Sequence, residues 1–153
     1  MKFGTVAIIG RSNVGKSTLL NRLLNEKIAI VSEKPQTTRT RILGVVHAPG
    51  AQIALLDTPG LHKPQHLLNR RMVRTTVETL EEADLLFVLM DATSLPGPGD
   101  LLVLDHVKAA LKKHPRPVIL VLNKVDLVNK MKAKQGEPGA FEAEKKGGKG
   151  KAQ

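Results

Sequence analysis

Three short stretches of the 153-residue chain combine side chains and spacings that suit chemistry. The first is Gly10-Arg11-Ser12-Asn13-Val14-Gly15-Lys16-Ser17, followed by Thr18, which fits the pattern G-x-x-x-x-G-K-[ST]. Glycines at both ends let a backbone wrap closely around a phosphate, with successive N–H groups turned inward. A helix starting near Lys16 adds the positive end of its dipole. Lys16 then places an ammonium on β and γ oxygens, and the Ser17 hydroxyl can ligate Mg²⁺ bridging the same phosphates. The plain alternative is a glycine-rich turn from strand to helix.

The second stretch is Asp57-Thr58-Pro59-Gly60, directly after an apolar run. A carboxylate at a strand's C-terminal end sits over the crevice of an open α/β sheet. There Asp57 would hold Mg²⁺ through water, and the Gly60 N–H would meet a γ-phosphate. D-x-x-G alone describes many turns; its place downstream of a phosphate loop gives it weight. The third is Asn123-Lys124-Val125-Asp126, again after an apolar run. An aspartate can accept two hydrogen bonds from guanine, whereas adenine offers no matching pair. Sites built this way discriminate by roughly 10⁴-fold or more. Asn123 would brace the loop, and the stem of Lys124 would lie over the base. Between the first two stretches, Thr37, Thr38 and Thr40 sit in a segment without apolar periodicity. A threonine in such a loop can complete Mg²⁺ coordination while a γ-phosphate is present, or the segment can be simply solvated.

These stretches need strands behind them and helices in front. Residues 3–9, 85–90 and 118–122 are apolar runs, as in parallel strands covered on both faces. Residues 41–47 and 52–56 flank Ala48-Pro49-Gly50-Ala51 and read as a hairpin. Helical patterns cover 16–25, about 64–82 and 99–113; in the second, Leu68, Met72, Thr76 and Leu80 recur every fourth residue. The alternation predicts an α/β fold, a mostly parallel sheet with one antiparallel hairpin strand and helices on both faces. From residue 129 the glycines, lysines and glutamates leave little to bury. Residues 129–153 are therefore expected to be a basic, disordered tail behind a domain over 1–128.

Composition limits the partners. Apolar types make up 41% and charged types 25%, an ordinary globular balance. No apolar run approaches the roughly 18 residues of a membrane span, which leaves only peripheral membrane contact open. The absence of cysteine excludes disulfides and thiolate metal sites and fits a cytoplasmic location. Phe3, Phe87 and Phe141 are the only aromatics, too few for a base-stacking surface. The net charge of +10 divides into +6 over residues 1–128 and +4 over 129–153. It suits a phosphate-bearing ligand or RNA and does not choose between them.

GRSNVGKSTLLNRLL, KPQTTRTRILGVV, DTPGLHKP and NKVD together resemble the GTP-binding domain of the Era family. These are bacterial ribosome-assembly GTPases of the TrmE–Era–EngA group, and the resemblance covers residues 2–128. It implies a P-loop GTPase fold that binds GTP or GDP with Mg²⁺ and hydrolyses GTP slowly. Gly10–Ser17 would then cradle the phosphates, with Lys16, Thr38 and Gly60 acting on the γ-phosphate. Ser17, Thr38 and Asp57 would serve the metal, and Asn123, Lys124, Val125 and Asp126 the base. Leu61 stands where many GTPases carry a glutamine that orients the attacking water, so hydrolysis should be slow. Asn13 matches an asparagine that coordinates K⁺ in relatives, and is otherwise a spacer. Partners implied by the resemblance are ribosomal RNA and the small ribosomal subunit.

Family members continue past NKxD through a helix, a sixth strand with a guanine loop, a last helix and an RNA-binding KH domain. Residues 129–153 carry no such pattern, so the expectation is a G domain lacking its last strand and helix. The strand over 118–122 would then be an exposed edge, and Val6 or Ile8 would lose a covering helix. Two other functions compete with the switch GTPase. One is a truncated module that binds guanine nucleotides without efficient catalysis. The other is a basic RNA- or ribosome-associated protein using Arg39, Arg41, Arg70, Arg71, Arg74 and the tail lysines.

Overall fold

Four consecutive residues of the first strand, Val6 to Ile9, are all buried. Only a central strand covered on both faces can bury side chains that alternate in direction. The computed structural model describes residues 1–25, 42–61 and 67–134. In chain order the elements are β1 (Lys2–Ile9), α1 (Lys16–Leu24), β2 (Ile42–Ala48), β3 (Ala51–Asp57) and α2 (Leu67–Glu82). They continue with β4 (Leu85–Asp91), α3 (Pro98–Lys113), β5 (Val118–Asn123) and α4 (Val125–Lys134). The sheet runs β2-β3-β1-β4-β5. Strand β1 is parallel to β3 and β4, β5 is parallel to β4, and β2 alone is antiparallel, paired with β3. This is the mostly parallel sheet with one hairpin that the sequence predicts.

Side-chain alternation sorts the core into two layers. Val6 and Ile8 point to the α1 side, where they pack with Val14, Leu20, Leu55 and Leu89. Ala7 and Ile9 point the other way, among Leu61, Leu80, Leu86, Val88, Val103 and Val107 beneath α2 and α3. The ends of α2 and β1 opposite the candidate motifs are also secured. Asp84 Oδ2 accepts from the Thr5 N–H at 2.8 Å and the Thr5 hydroxyl at 2.9 Å. Arg116 Nη1 donates to the carbonyls of Leu80, Glu81 and Ala83 at 2.5, 3.0 and 2.6 Å, serving the last turn of α2 and the residue after it.

Three expectations need correction. Val6 and Ile8 keep their cover: they are 6% and 0% exposed beneath α1. The tail boundary at 128 falls inside α4, which continues to Lys134. Its Val125, Leu127 and Met131 are exposed, so no buried stripe advertises the helix. The first turn of α3 starts at Pro98 rather than Gly99. Residues 135–153 and 62–66, the latter holding the expected start of α2, lie outside the described residues.

Where exposure does fall is β5. Among the described residues it is the last strand of the sheet, and Ile119, Leu120 and Leu122 are 47%, 56% and 57% exposed. Among the described residues no helix is long and apolar enough to cross a membrane. Burial predicts a sharp asymmetry between equal-looking leucines. Leu20→Ala, at a fully buried site, should cost about 2–5 kcal/mol in urea unfolding. Leu120→Lys should change stability by no more than about 0.5 kcal/mol and reduce aggregation of the chain.

Candidate functional site

Strand order places the candidate motifs at one place. The chain passes from β1 to β2 and β3 on one side, then to β4 and β5 on the other, so the sheet switches direction at β1. Ligands of open α/β sheets bind beyond the C-terminal ends of the strands at such a point. The loop Gly10–Gly15 leaves β1 there and enters α1.

Two residues of that loop take left-handed backbone angles, Asn13 at φ 62° and Gly15 at φ 99°. Asparagine tolerates this region better than most side-chain-bearing residues, and glycine adopts it without strain. Left-handed residues among right-handed ones turn successive N–H groups toward one concavity, an anion-binding nest. Gly15 is also the N-cap of α1, so the helix begins at Lys16 with its dipole directed at the loop. Lys16 is buried, and its Nζ donates to the Arg11 carbonyl at 2.9 Å. Burial lowers its pKa to about 8; the Asp57 carboxylate opposes that shift, and the Arg11 guanidinium adds to it.

The second motif is fastened to the first. The Ser17 hydroxyl donates to Asp57 Oδ2 at 2.6 Å, which unites two of the three expected metal ligands. The Leu61 N–H donates to the Gly10 carbonyl at 3.3 Å, and Arg11 and Leu61 form an isolated parallel bridge. Gly60 lies so close to the loop that a Cβ would stand 2.8 Å from the Ser12 N and Cα. Any larger residue there would push the two segments apart. Thr76 of α2 supports the turn, its hydroxyl 3.2 Å from the Pro59 carbonyl and 3.0 Å from that of Met72.

The third motif reaches the same loop from β5. Asn123 Nδ2 donates to the Val14 carbonyl at 2.8 Å. Lys124 follows with φ 64°, and its Nζ donates to Asp91 Oδ2 at 2.8 Å. Asp126 lies exposed in the first turn of α4.

Several residues named from the motifs do not present their side chains to this crevice. Val14 and Leu61 are core residues, on the α1 side and the α2/α3 side respectively. Leu61 thus points into the core and not into the crevice. The Thr58 hydroxyl is also spoken for, donating to the Ile8 carbonyl at 2.8 Å with the side chain fully buried. Thr37, Thr38 and Thr40, with Arg39 and Arg41, lie outside the described residues.

The structure adds a charged cluster that no motif announces. Arg11 Nε is 3.2 Å from Asp100 Oδ1, and Arg11 Nη2 is 3.7 Å from Asp91 Oδ2, the atom that also holds Lys124. Thr93 donates to Asp91 Oδ1 from its N–H at 2.9 Å and its hydroxyl at 2.5 Å. Burial pushes the Asp91 carboxyl up, but these hydrogen bonds and the Lys124 charge outweigh it and hold its pKa at about 2. One signal in the sequence points to Asp91: like Asp57, it ends an apolar strand.

The groups present suit magnesium. Ser17 and Asp57 are hard oxygen donors in contact, and Mg²⁺ is typically held by one or two protein oxygens, with phosphates and water completing its shell.

Comparison with known proteins agrees with this fold. The chain is 49% identical over 130 residues to the GTPase Era of Heliobacterium modesticaldum, covering 85% of the chain and 42% of that relative. It is 46% identical over 149 residues to the GTPase Era of Fusobacterium nucleatum, covering 97% of the chain and 48% of the relative. The chain therefore spans less than half the length of these curated relatives. Among solved structures, it is similar to a variant of Aquifex aeolicus Era bound to GDP·AlF4⁻, with TM-score 0.75 and 42% identity over 90% of the chain and 49% of that structure. The same figures hold for Era in complex with MgGDPNP and nucleotides 1506–1542 of 16S ribosomal RNA. Residues 5–124, from within β1 to the loop after β5, match the family described as 50S ribosome-binding GTPase, and the chain belongs to that family.

Proposed function

We propose that this chain is the nucleotide-binding part of a switch GTPase: it binds GTP and GDP with Mg²⁺, hydrolyses GTP slowly and serves ribosome assembly. The observation that carries the reading is the double anchoring of the phosphate loop. Ser17 joins it to Asp57, at the metal end, and Asn123 joins it to the base loop. A loop that merely turned a corner would have no need of both.

Each residue has a task in this reading. The inward N–H groups of Gly10–Ser17 and the start of α1 bind the phosphates. Lys16 exchanges the Arg11 carbonyl for phosphate oxygens, which favour its charged form. Ser17, Asp57 and, by the family resemblance, Thr38 hold magnesium, which when bound supplies positive charge to the β- and γ-phosphate oxygens. The Gly60 N–H meets the γ-phosphate, and Asp126 reads guanine while Asn123 and Lys124 position its loop. Leu61, buried in the core, brings no water-orienting group. That observation favours slow turnover, on the order of 10⁻² per second or below, as in switch GTPases without a trans-acting arginine.

Two of these similarities bear on the partner. The family description mentions the 50S subunit, whereas the Era complex holds a fragment of 16S ribosomal RNA. The 42% identity to the latter supports small-subunit RNA as the partner of the protein to which this domain belongs. The basic C-terminal stretch over residues 129–153, of which the part to Lys134 is helix α4, and a K⁺ ion beside Asn13 are further parts of the proposal.

Mg²⁺-dependent binding of GTP against ATP, measured by titration of this chain, tests the reading as a whole. Asp126→Asn should lower the preference for GTP over ATP by at least about tenfold; unchanged selectivity would remove Asp126 from base recognition. Lys16→Ala and Ser17→Ala should each weaken triphosphate binding, the second by abolishing its Mg²⁺ dependence. Because both act on one cluster, the double variant should lose clearly less than the sum. Single-turnover hydrolysis should run faster in K⁺ than in Na⁺ at equal ionic strength, and equal rates would leave Asn13 without a cation.

A further inference from the structure

We propose that Asp91 is a positioning residue for base selectivity, holding the guanine-reading loop by its grip on Lys124; the inference rests on the function proposed above. Lys124 is one of three described residues other than glycine with positive φ, at 64°. A side-chain-bearing residue persists in that conformation when its surroundings hold it there. Here the hold is visible: the Lys124 ammonium donates to Asp91 Oδ2 at 2.8 Å. The backbone turn at Lys124 sets where the next residues start α4, and Asp126 is in that first turn.

Asp91 can act as a fixed point because its own position is determined from three directions. Its Oδ1 accepts from the N–H and hydroxyl of Thr93 at 2.9 and 2.5 Å, which orients the carboxylate. The Ala92 N–H donates to the Asn123 carbonyl at 2.9 Å, so the ends of β4 and β5 stay in register beside it. Arg11 Nη2 stands 3.7 Å from the same Oδ2 that holds Lys124. Arg11 is anchored in turn by Asp100, a buried residue whose Oδ2 accepts from the Gly97 N–H at 2.9 Å at the start of α3. The side chains thus form one chain from α3 through the phosphate loop to the base loop. Asp91 is the member that joins the two loops.

Charge satisfaction alone would not need this arrangement. Lys124 is 30% exposed and could reach water, whereas the Asp91 side chain is only 9% exposed. Burying a carboxylate to hold a lysine that solvent could hydrate is explained if the lysine's position matters. Loss of the contact should therefore free the base loop while Asp100 keeps Arg11, and with it the phosphate loop, in place.

The test uses the full chain and two probes with Mg²⁺: GDP, which engages both loops, and inorganic tripolyphosphate, which engages the phosphate loop alone. Asp91→Ala and the isosteric Asp91→Asn, which keeps an acceptor for Thr93, should each weaken GDP binding about tenfold, the scale of one charge-assisted hydrogen bond. Both should leave tripolyphosphate binding within about twofold. Lys124→Met should produce the same split, and the Asp91→Ala/Lys124→Met pair should lose little more than either alone. Equal losses for the two probes, or no loss for either, would overturn the proposal, because Asp91 would then be a general support or irrelevant. Asp91→Asn keeps the test valid should Asp91→Ala unfold. A wild-type chain that binds tripolyphosphate yet shows no preference for GDP over ADP overturns the guanine reading and this inference with it. A wild-type preference that survives in both Asp91 variants overturns this inference alone.

Discussion

A backbone that turns its N–H groups toward an anion cannot use those groups to hold its own shape. The phosphate loop is subject to that constraint, and much of the described site is arranged to meet it. Its carbonyls and side chains, the groups not needed inward, are the handles by which neighbours hold it. Asn123 takes the Val14 carbonyl, Lys16 the Arg11 carbonyl and the Leu61 N–H the Gly10 carbonyl. The Val14 side chain is sunk in the core, and that of Arg11 is clasped by Asp100. Three strand ends and the start of α3 therefore contribute to one turn of backbone. Such external fixing is the usual basis of preorganised anion binding, since the ordering is accomplished in folding rather than on ligand arrival.

The same constraint makes the motifs interdependent. Ser17 and Asp57 touch, so a change at either is felt at the end of β3 and in the first turn of α1 together. Gly60 and Ser12 leave no room for a side chain between them, which keeps the D-x-x-G turn against the loop. Lys16 is the poised member of this assembly. Buried, with a pKa of about 8, it holds a charge that its surroundings favour only weakly, and a polyanion is the partner that would restore it.

Much of this is legible in the sequence, for identifiable reasons. Strand positions can be read to within a residue or two because their apolar runs are continuous and because Pro49 and Gly50 mark the hairpin turn. The order of the three motifs by itself places them at strand ends. What motifs do not encode is side-chain direction. Val14, Thr58 and Leu61 belong to motif strings yet are buried, because the turns that leave β1 and β3 are packed into the sheet and its helices. Helix α4 is hidden past residue 128 because Leu127 and Met131 are exposed and look no different from a solvated segment. The pairing within the Arg11–Asp91–Lys124–Asp100 cluster is hidden for another reason. Arg11 and Lys124 lie in motif strings and Asp91 ends an apolar strand, but nothing links them to one another or to Asp100 until the sheet order brings β1, β4 and β5 side by side.

Among the described residues strand β5 has a neighbour on one side only, and much of its apolar surface is exposed. Local openings in a folded protein start where few buried contacts must be given up, so backbone amides at such an edge exchange with solvent sooner than those of a central strand. The loop that carries Asn123 and Lys124 hangs from this strand, whereas the phosphate loop hangs from β1, the most deeply covered one. The two halves of the crevice therefore sit on parts of the fold with different opening free energies. Under the proposed function, a nucleotide that spans both would lend the firmness of the centre to the edge, and its departure would begin most easily from the base end.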